Sequence, residues 1–309
     1  MRAEDSGRVV ERWGGPLLWW SLDVLGRLPL ALSARLGIWM GRTWFALGRF
    51  KRRLAFRNVR LSFPENRDPG FVARIARESF EHAGLTFLEV LHLAVRKPEE
   101  VRRWIQVEGV EHFEKAAGRG KGVLLLTGHI GNWELLGMAA SQLVGSCLVV
   151  ARPLDFKPLD AYVNRLRTRT GTEVLPKDGC LWKLMRGLNR GANVGLLLDQ
   201  NTSHTEGSFV PFFGRRACTY RSAAFLALTT DASVVPAYGI RRSPGRHAVR
   251  FLPALELIRT GDRTRDIEDN TALFTRTLEY IIRDIPGQWL WMHDRWKQKA
   301  WCPWPRRDV

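Results

Sequence analysis

From residue 121 onward the chain alternates short apolar runs with stretches whose apolar positions recur every three to four residues. The runs at 122–127 (GVLLLT), 146–151 (SCLVVA), 194–198 (VGLLL) and 232–238 (ASVVPAY) have the length and unbroken apolarity of buried strands. Pro236 marks an end or an edge in the fourth. Helices are predicted between them at 134–144, 159–170, 181–189 and 222–230. Strand–helix alternation of this kind implies right-handed βαβ units. The expected fold class is therefore α/β, with a mainly parallel central sheet flanked by helices.

The amino-terminal pattern is different. Residues 13–60 are rich in apolar side chains, but Asp23, Arg27, Arg35, Arg42 and Arg49 interrupt them. No uncharged run there reaches the roughly 18–20 residues of a membrane-spanning helix. Arg35, Arg42 and Arg49 share one helical face, while Leu32, Leu36, Trp39, Met40 and Leu47 take much of the rest. Pro29 should kink or divide the helix, and Lys51, Arg52, Arg53, Arg57 and Arg60 follow as a basic collar. The segment reads as an amphipathic interfacial helix on an anionic membrane. A core-packing helix with a solvated Arg face and a tilted span with snorkelling Arg are the alternatives. No small-residue cleavage site follows a compact apolar stretch, so a cleavable signal peptide is not expected. The chain divides into a membrane-associating helical segment at 1–60 and a second domain at 61–309.

Charge adds a direction to this picture. The 309 residues include 48 Lys+Arg against 31 Asp+Glu, a formal net charge of +17. Acidic partners are implied: nucleic acid, anionic lipid, phosphorylated substrates or an acidic carrier protein. Five of the 13 Trp fall in the first 44 residues and five in the last 21, as membrane-interface anchoring at both ends would favour. Cys147, Cys180, Cys218 and Cys302 are far apart and the seven His are dispersed. That spacing suggests neither a zinc site nor a disulfide scaffold, and a reduced, cytosol-facing chain fits best.

Three of the apolar runs end in residues of useful and different chemistry. His129 follows the first, Arg152 the second, and Asp199-Gln200 the third. Ligands of parallel sheets bind beyond the carboxyl ends of the strands, so these residues mark a site. No G-x-G-x-x-G and no Walker loop follows the first strand, which argues against a nucleotide cofactor. The segment 128–134 reads GHIGNWE. A spacing of five separates His129 and Glu134 on a continuous helix, yet they can meet if His129 lies in the turn and Glu134 in the first helical turn. Asn132 is a natural N-cap, and Gly128 and Gly131 permit the bend. Glu134 could then accept a proton from one ring nitrogen and leave the other as a general base. From spacing alone, a capped helix carrying an incidental His fits equally well.

The wider sequence decides between these readings. It resembles the lysophospholipid acyltransferase superfamily and, more narrowly, the late lipid A acyltransferases that add lauroyl or myristoyl chains. The resemblance runs collinearly over about residues 15–300. It is carried by 57–65 (RNVRLSFPE), GHIGNWE with its H-x-x-x-x-E block, and Arg152-Pro153 followed by 167–171 (RTRTG). Asp199-Gln200 with 209–214 (FVPFFG) and Thr219, and the carboxy-terminal 288–297 (QWLWMHDRWK), complete it. Any one block is weak; five in order are specific.

The resemblance implies a membrane-associated O-acyltransferase on the cytoplasmic face of the inner membrane, without cofactor or metal. His129, oriented by Glu134, would deprotonate an acceptor hydroxyl attacking an acyl thioester, with no covalent intermediate. Backbone amides at the helix start or Arg152 would hold the oxyanion. Asn132, Arg152, Arg167, Arg169, Asp199 and Gln200 are the candidate substrate-binding residues, the arginines taking phosphates and Asp199 supporting the site. FVPFFG would form an apolar wall for the acyl chain, and His293 would pack among the tryptophans. The implied partners are acyl-carrier protein or acyl-CoA as donor, an anionic glycolipid acceptor and the membrane surface, with no nucleic acid. A phospholipid or mannosylated phosphatidylinositol acceptor, a hydrolase and a non-catalytic basic binder are the competing readings.

Overall fold

The computed structural model describes residues 4–298 apart from Ser146 and Thr170. Three helices open the chain: α1 (Glu4–Gly26), α2 (Leu30–Leu47) and α3 (Arg49–Ser62). The long α4 (Pro69–Val95) and short α5 (Pro98–Arg102) lead into an alternating region of β1 (Ile105–Glu108), α6 (Val110–Ala117), β2 (Val123–Thr127), α7 (Trp133–Val144), β3 (Cys147–Ala151), α8 (Lys157–Thr168), β4 (Thr172–Pro176), α9 (Leu181–Asn189) and β5 (Asn193–Leu197). A hairpin of β6 (Gly207–Phe212) and β7 (Arg215–Tyr220) follows. Then come α10 (Ser222–Thr230), β8 (Ser233–Ser243), β9 (Arg246–Phe251) and α11 (Arg263–Asp284).

Seven strands form the main sheet in the order β1-β9-β8-β2-β5-β3-β4, and β6-β7 pair separately. β8, β2, β5, β3 and β4 are mutually parallel neighbours. β9 pairs antiparallel with β8, and β1 parallel with β9, so one edge is reversed. The four predicted strands and four predicted helices are all present, in a mainly parallel sheet. Pro236 is the exception: it lies inside β8, which continues to Ser243. It is the last β8 residue in register with β2, and pairing with β9 starts at Ala237, so the missing N–H falls at the end of both ladders.

Alternate residues of the strands feed two apolar layers, as the period of two requires. Val123, Leu125, Val235 and Ala237 pack against α6 and α7 on one face. Leu124, Leu126, Val194 and Leu196 meet α9, α10 and α11 on the other. The 27-residue α4 is about 40 Å long at 1.5 Å per residue. It contributes Val90 and Leu93 to a cluster with α7, and Val72, Ile75 and Phe80 to the opposite layer.

Pro29 divides the amino-terminal helices as expected, standing as the N-cap of α2. α2 packs through its small residues rather than through its bulky apolar ones. Its buried positions are Ser33, Ala34, Gly37 and Gly41, while Leu32, Trp39 and Leu47 are exposed. A Cβ on Gly84 of α4 would lie 2.2 Å from the Gly37 carbonyl oxygen, and one on Gly41 would lie 2.4 Å from that of Phe80. Small residues thus bring the two helix backbones close; Leu32, Trp39 and Leu47 face outward, while Leu36, Met40 and Phe45 pack at the flanks of the contact. Arg35, Arg42 and Arg49 are exposed on the same assembly. α1 is tied to α8 by Trp19 Nε1 to the Pro158 carbonyl and Tyr162 Oη to Asp23, both at 2.9 Å. No helix among the described residues is long and apolar enough to cross a membrane.

The carboxy-terminal tryptophans correct the expectation of interfacial anchoring at that end. Trp289, Trp291 and Trp296 are buried, and Trp301 and Trp304 lie outside the described residues. Trp289 and Trp291 stand edge to face at 4.6 Å, with Phe212 and Phe213 packed against them. FVPFFG is therefore core beneath the carboxy-terminal segment.

Candidate active site

The carboxyl ends of β2, β3 and β5 come together, and with them His129, Arg152, Asp199 and Gln200. Asn132 caps α7, its Oδ1 accepting from Leu135 N at 3.0 Å. Gly131 has φ +58°, and a Cβ there would strike the Gly239 carbonyl, so the turn before α7 requires glycine. Gly128 passes close to Asp199, whose Cγ would stand 3.0 Å from an added Cβ. These close approaches lay the His129 ring against the end of β5.

His129 Nδ1 lies 2.9 Å from Asp199 Oδ1, and His129 N donates to Asp199 Oδ2 at 2.9 Å. Trp289 Nε1 donates to the same Oδ2 at 2.7 Å. Burial disfavours the carboxylate, but the imidazole and these donors hold its pKa well below the usual range. With Nδ1–H committed to Asp199, Nε2 is the basic nitrogen; Gln200 Nε2 lies 3.3 Å from it. Burial disfavours the imidazolium too, yet the Asp199 charge and hydrogen bond, with help from Glu134, raise the His129 pKa despite opposition from Arg167.

The expected partnership of His129 with Glu134 is corrected by this geometry. Arg167 of α8 holds the Glu134 carboxylate with both arms of its fork, at 2.8 and 2.5 Å. Five residues of separation across a cap carry Glu134 toward α8, whereas the end of β5 delivers Asp199 directly beneath the ring. Asn132 is corrected as well. It is buried, its Oδ1 caps the helix and its Nδ2 donates to Glu89 at 2.9 Å, so its amide is committed to structure. Arg169 bonds the Ala94 and Arg96 carbonyls past the end of α4 and is occupied away from the cluster. Arg152 is exposed and pairs with Asp155 at 3.1 Å.

A cavity of about 1120 Å³ opens beside His129. Its lining includes Leu125, Val149, Gly195 and Ala237 of the sheet with Leu136, Gly137 and Ala140 of α7, together with Leu184, Leu196 and Leu198 of the opposite layer. Along β3 it reaches from Ala151 to Cys147, four strand steps or about 13 Å. Arg152, Arg167, Lys177 and Arg221 stand in the wall as well. Among the described residues no group of three or more His, Cys, Asp or Glu could hold a metal ion. Cys147, Cys180 and Cys218 are buried.

Several contributors had no local signal. Glu89 of α4 is buried and paired with Arg241 of β8 at 2.8 and 2.6 Å, with His82 and Thr86 also on the guanidinium. Through Asn132 this pair supports the start of α7. His293 accepts from Asn201 N at 3.0 Å, and burial lowers its pKa to about 4, so it is a neutral acceptor holding the loop after Asp199. Asn58 of α3 donates to the Trp291 and His293 carbonyls at 2.9 and 2.8 Å. Trp289 could be found in the sequence only as one of a crowd.

A base backed by a buried carboxylate, at the mouth of a long apolar cavity with cations in its wall, defines an enzyme site for a substrate that carries a chain and negative charge. The model of the bacterial lipid A biosynthesis acyltransferase family matches residues 4–298; the chain belongs to that family and is an acyltransferase. It is 25% identical over 288 residues to the lipid A biosynthesis lauroyltransferase of Escherichia coli (strain K12), covering 92% of each chain. It is 24% identical over 291 residues to the palmitoleoyltransferase of the same organism, again covering 92% of each. To the phosphatidylinositol mannoside acyltransferase of Mycobacterium tuberculosis (strain CDC 1551 / Oshkosh) it is 30% identical over 224 residues, 71% of this chain and 69% of the relative.

Proposed function

We propose that this acyltransferase moves a fatty acyl chain from an acyl-carrier-protein thioester to a hydroxyl of a lipid A precursor or related glycolipid, at the cytoplasmic face of the inner membrane. The observation that carries the reading is His129, backed by Asp199, at the opening of an apolar cavity long enough for much of an acyl chain.

His129 Nε2 takes the proton of the acceptor hydroxyl as its oxygen attacks the thioester carbonyl. The tetrahedral intermediate collapses with cleavage of the C–S bond, and the departing thiolate receives the proton from the imidazolium. An ester and a free carrier thiol result, and no enzyme side chain is acylated. Asp199 keeps the ring in the tautomer that leaves Nε2 unprotonated and stabilises the transient cation. Glu134 reinforces that cation at longer range and fixes Arg167 in the cavity wall. Arg152 and Arg167 serve the phosphates of the donor arm or the acceptor, for which the guanidinium fork is suited.

Membrane association would place residues 1–60 against the lipid and leave 61–309 as the catalytic part. Leu17, Trp20 and Val24 on α1, Leu32, Trp39 and Leu47 on α2 and Phe50 on α3 supply exposed apolar surface, with arginines alongside. Such a surface suits an anionic interface. Leu154, Phe156 and Trp182 add exposed apolar groups on segments whose Leu154 and Leu181 line the cavity.

The test is transfer from acyl-carrier protein bearing C12, C14 or C16 chains to lipid A precursors in anionic vesicles, read by mass spectrometry for wild type and His129→Ala. Wild type should form the acylated product and His129→Ala should lose at least a hundredfold in rate; equal rates would overturn the assignment. The mycobacterial relative motivates a second arm with acyl-CoA and mannosylated phosphatidylinositol. Turnover only there would change the donor and acceptor while keeping the chemistry.

A further inference from the structure

We propose that the Thr127 side chain is a catalytic group, its hydroxyl donating a hydrogen bond to the carbonyl oxygen of the acyl thioester as that oxygen becomes an oxyanion. The inference rests on the acyl-transfer reading above. Thr127 is the last residue of β2 and stands two positions before His129; both line the cavity. It shares its sheet face with Leu125, which also lines the cavity, so an acyl chain lying on that face would bring its carbonyl end toward Thr127 and the imidazole.

The Thr127 residue is 5% exposed, and its Oγ1 is buried without a hydrogen-bond partner among the described residues. Buried hydroxyls are normally satisfied, and an orphan of this kind calls for an explanation. Other buried polar side-chain atoms are also orphaned, including those of Ser33, Ser62 and Asn201, but of these residues Thr127 alone lines the cavity. The backbone gives no reason for the hydroxyl. Thr127 O already accepts from Leu198 N at 3.0 Å, and valine would fill the strand position with the same branched shape.

The oxyanion needs a donor, and several of the amides expected to supply it are committed. His129 N is bonded to Asp199, Ile130 N to the Gly128 carbonyl, Gly131 N to the Gln288 carbonyl and Leu135 N to Asn132. Arg152 is exposed and held by Asp155, where solvent weakens its effect. The Thr127 hydroxyl is buried, its acceptor position in the thioester is the one whose charge grows in the transition state, and its proton can rotate to meet it.

Replacement by valine separates function from fold. Full-length Thr127→Val should lose on the order of 10²-fold in kcat for transfer from palmitoyl-acyl-carrier protein, the effect of deleting one oxyanion donor, with KM changed much less. Its melting temperature should stay the same or rise, because no partner is lost. Thr127→Ser, which keeps the hydroxyl, should stay within about tenfold of wild type. Thr127→Val with wild-type kcat, beside an inactive His129→Ala, would overturn the proposal and leave the acyl-transfer reading standing. A melting temperature lowered by valine and restored by serine, with activity following stability, would also overturn it, since the hydroxyl would then be structural. An active His129→Ala would instead bring down the underlying reading.

Discussion

The two tryptophan-rich ends of the chain look alike in composition and do opposite things. Trp20 and Trp39 are 64% and 62% exposed, while Trp289 and Trp291 are 1% and 0% exposed. The difference lies in what each region packs with. α2 meets α4 through glycines, so Leu32, Trp39 and Leu47 are left on the outside. The 289–296 segment lies against α4 and β6, where Ser79 Oγ donates to the Trp289 carbonyl and accepts from Trp291 N. Two of the three buried indole N–H groups there have fixed acceptors, Trp289 on Asp199 and Trp291 on the Pro286 carbonyl, while that of Trp296 has none among the described residues. A buried Trp N–H usually finds such a partner, whereas an exposed Trp can leave its N–H to water or headgroups.

The contrast breaks most visibly at Trp289. Trp289→Ala should cost about 3–5 kcal/mol of stability, measured by chemical denaturation, because it opens a cavity and strips a donor from Asp199. A near-wild-type midpoint would mean the buried segment is not integral to the core. Next in size, Asp199→Asn should reduce kcat about a hundredfold, or about 2.7 kcal/mol of transition-state stabilisation. The sign of its pH effect follows from the raised His129 pKa. Catalysis needs the unprotonated ring, so wild-type kcat/KM should rise with pH to a midpoint above 6.5, the ordinary value for His. Without the Asp199 charge, burial dominates and that midpoint should move below 6.5. A midpoint that stays put in a pH–rate profile would remove Asp199 as the partner that matters.

At the other end, Gly84→Ala should cost about 1–3 kcal/mol, since its Cβ meets backbone rather than a mobile side chain. Unchanged melting would show that α2 is not closely seated. The smallest effect on folding is expected for Trp20→Ala combined with Trp39→Ala, within about 0.5 kcal/mol per site, as for other surface positions. The same pair should weaken sedimentation with anionic vesicles several-fold, and a large loss of stability with intact vesicle binding would reverse the comparison.

The alternating middle of the chain was readable because its local rules agree with the final structure. Apolar runs of five to seven residues became strands of the main sheet, Asn132 became a cap, and Pro29 became a break. The edge strands escaped detection for a physical reason. β4 (TEVLP) is only half buried and mixes polar with apolar residues, and β1 (IQVE) does the same. In the site, the three strand-end residues were visible by position, but their pairings were not. A five-residue spacing suggested that Glu134 should serve His129, whereas the carboxylate that does so lies 70 residues away. Glu89 and Arg241 are 152 residues apart, and no local pattern announces that they meet beneath Asn132. Thr127 was counted as the end of an apolar run, where a hydroxyl is inconspicuous.

The hydrogen bond from Trp289 to Asp199 also sets a schedule for biosynthesis. Residue 289 is polymerised 90 residues after Asp199, and it reaches back to complete a carboxylate–histidine pair made earlier. Asn58 and Ser79 wait for the same segment, since their partners are at 289–293. The site therefore matures only after residue 289 has been added. A chain that stops short of residue 289 can own His129 and Asp199 and still lack the indole donor that fixes the carboxylate beneath the ring.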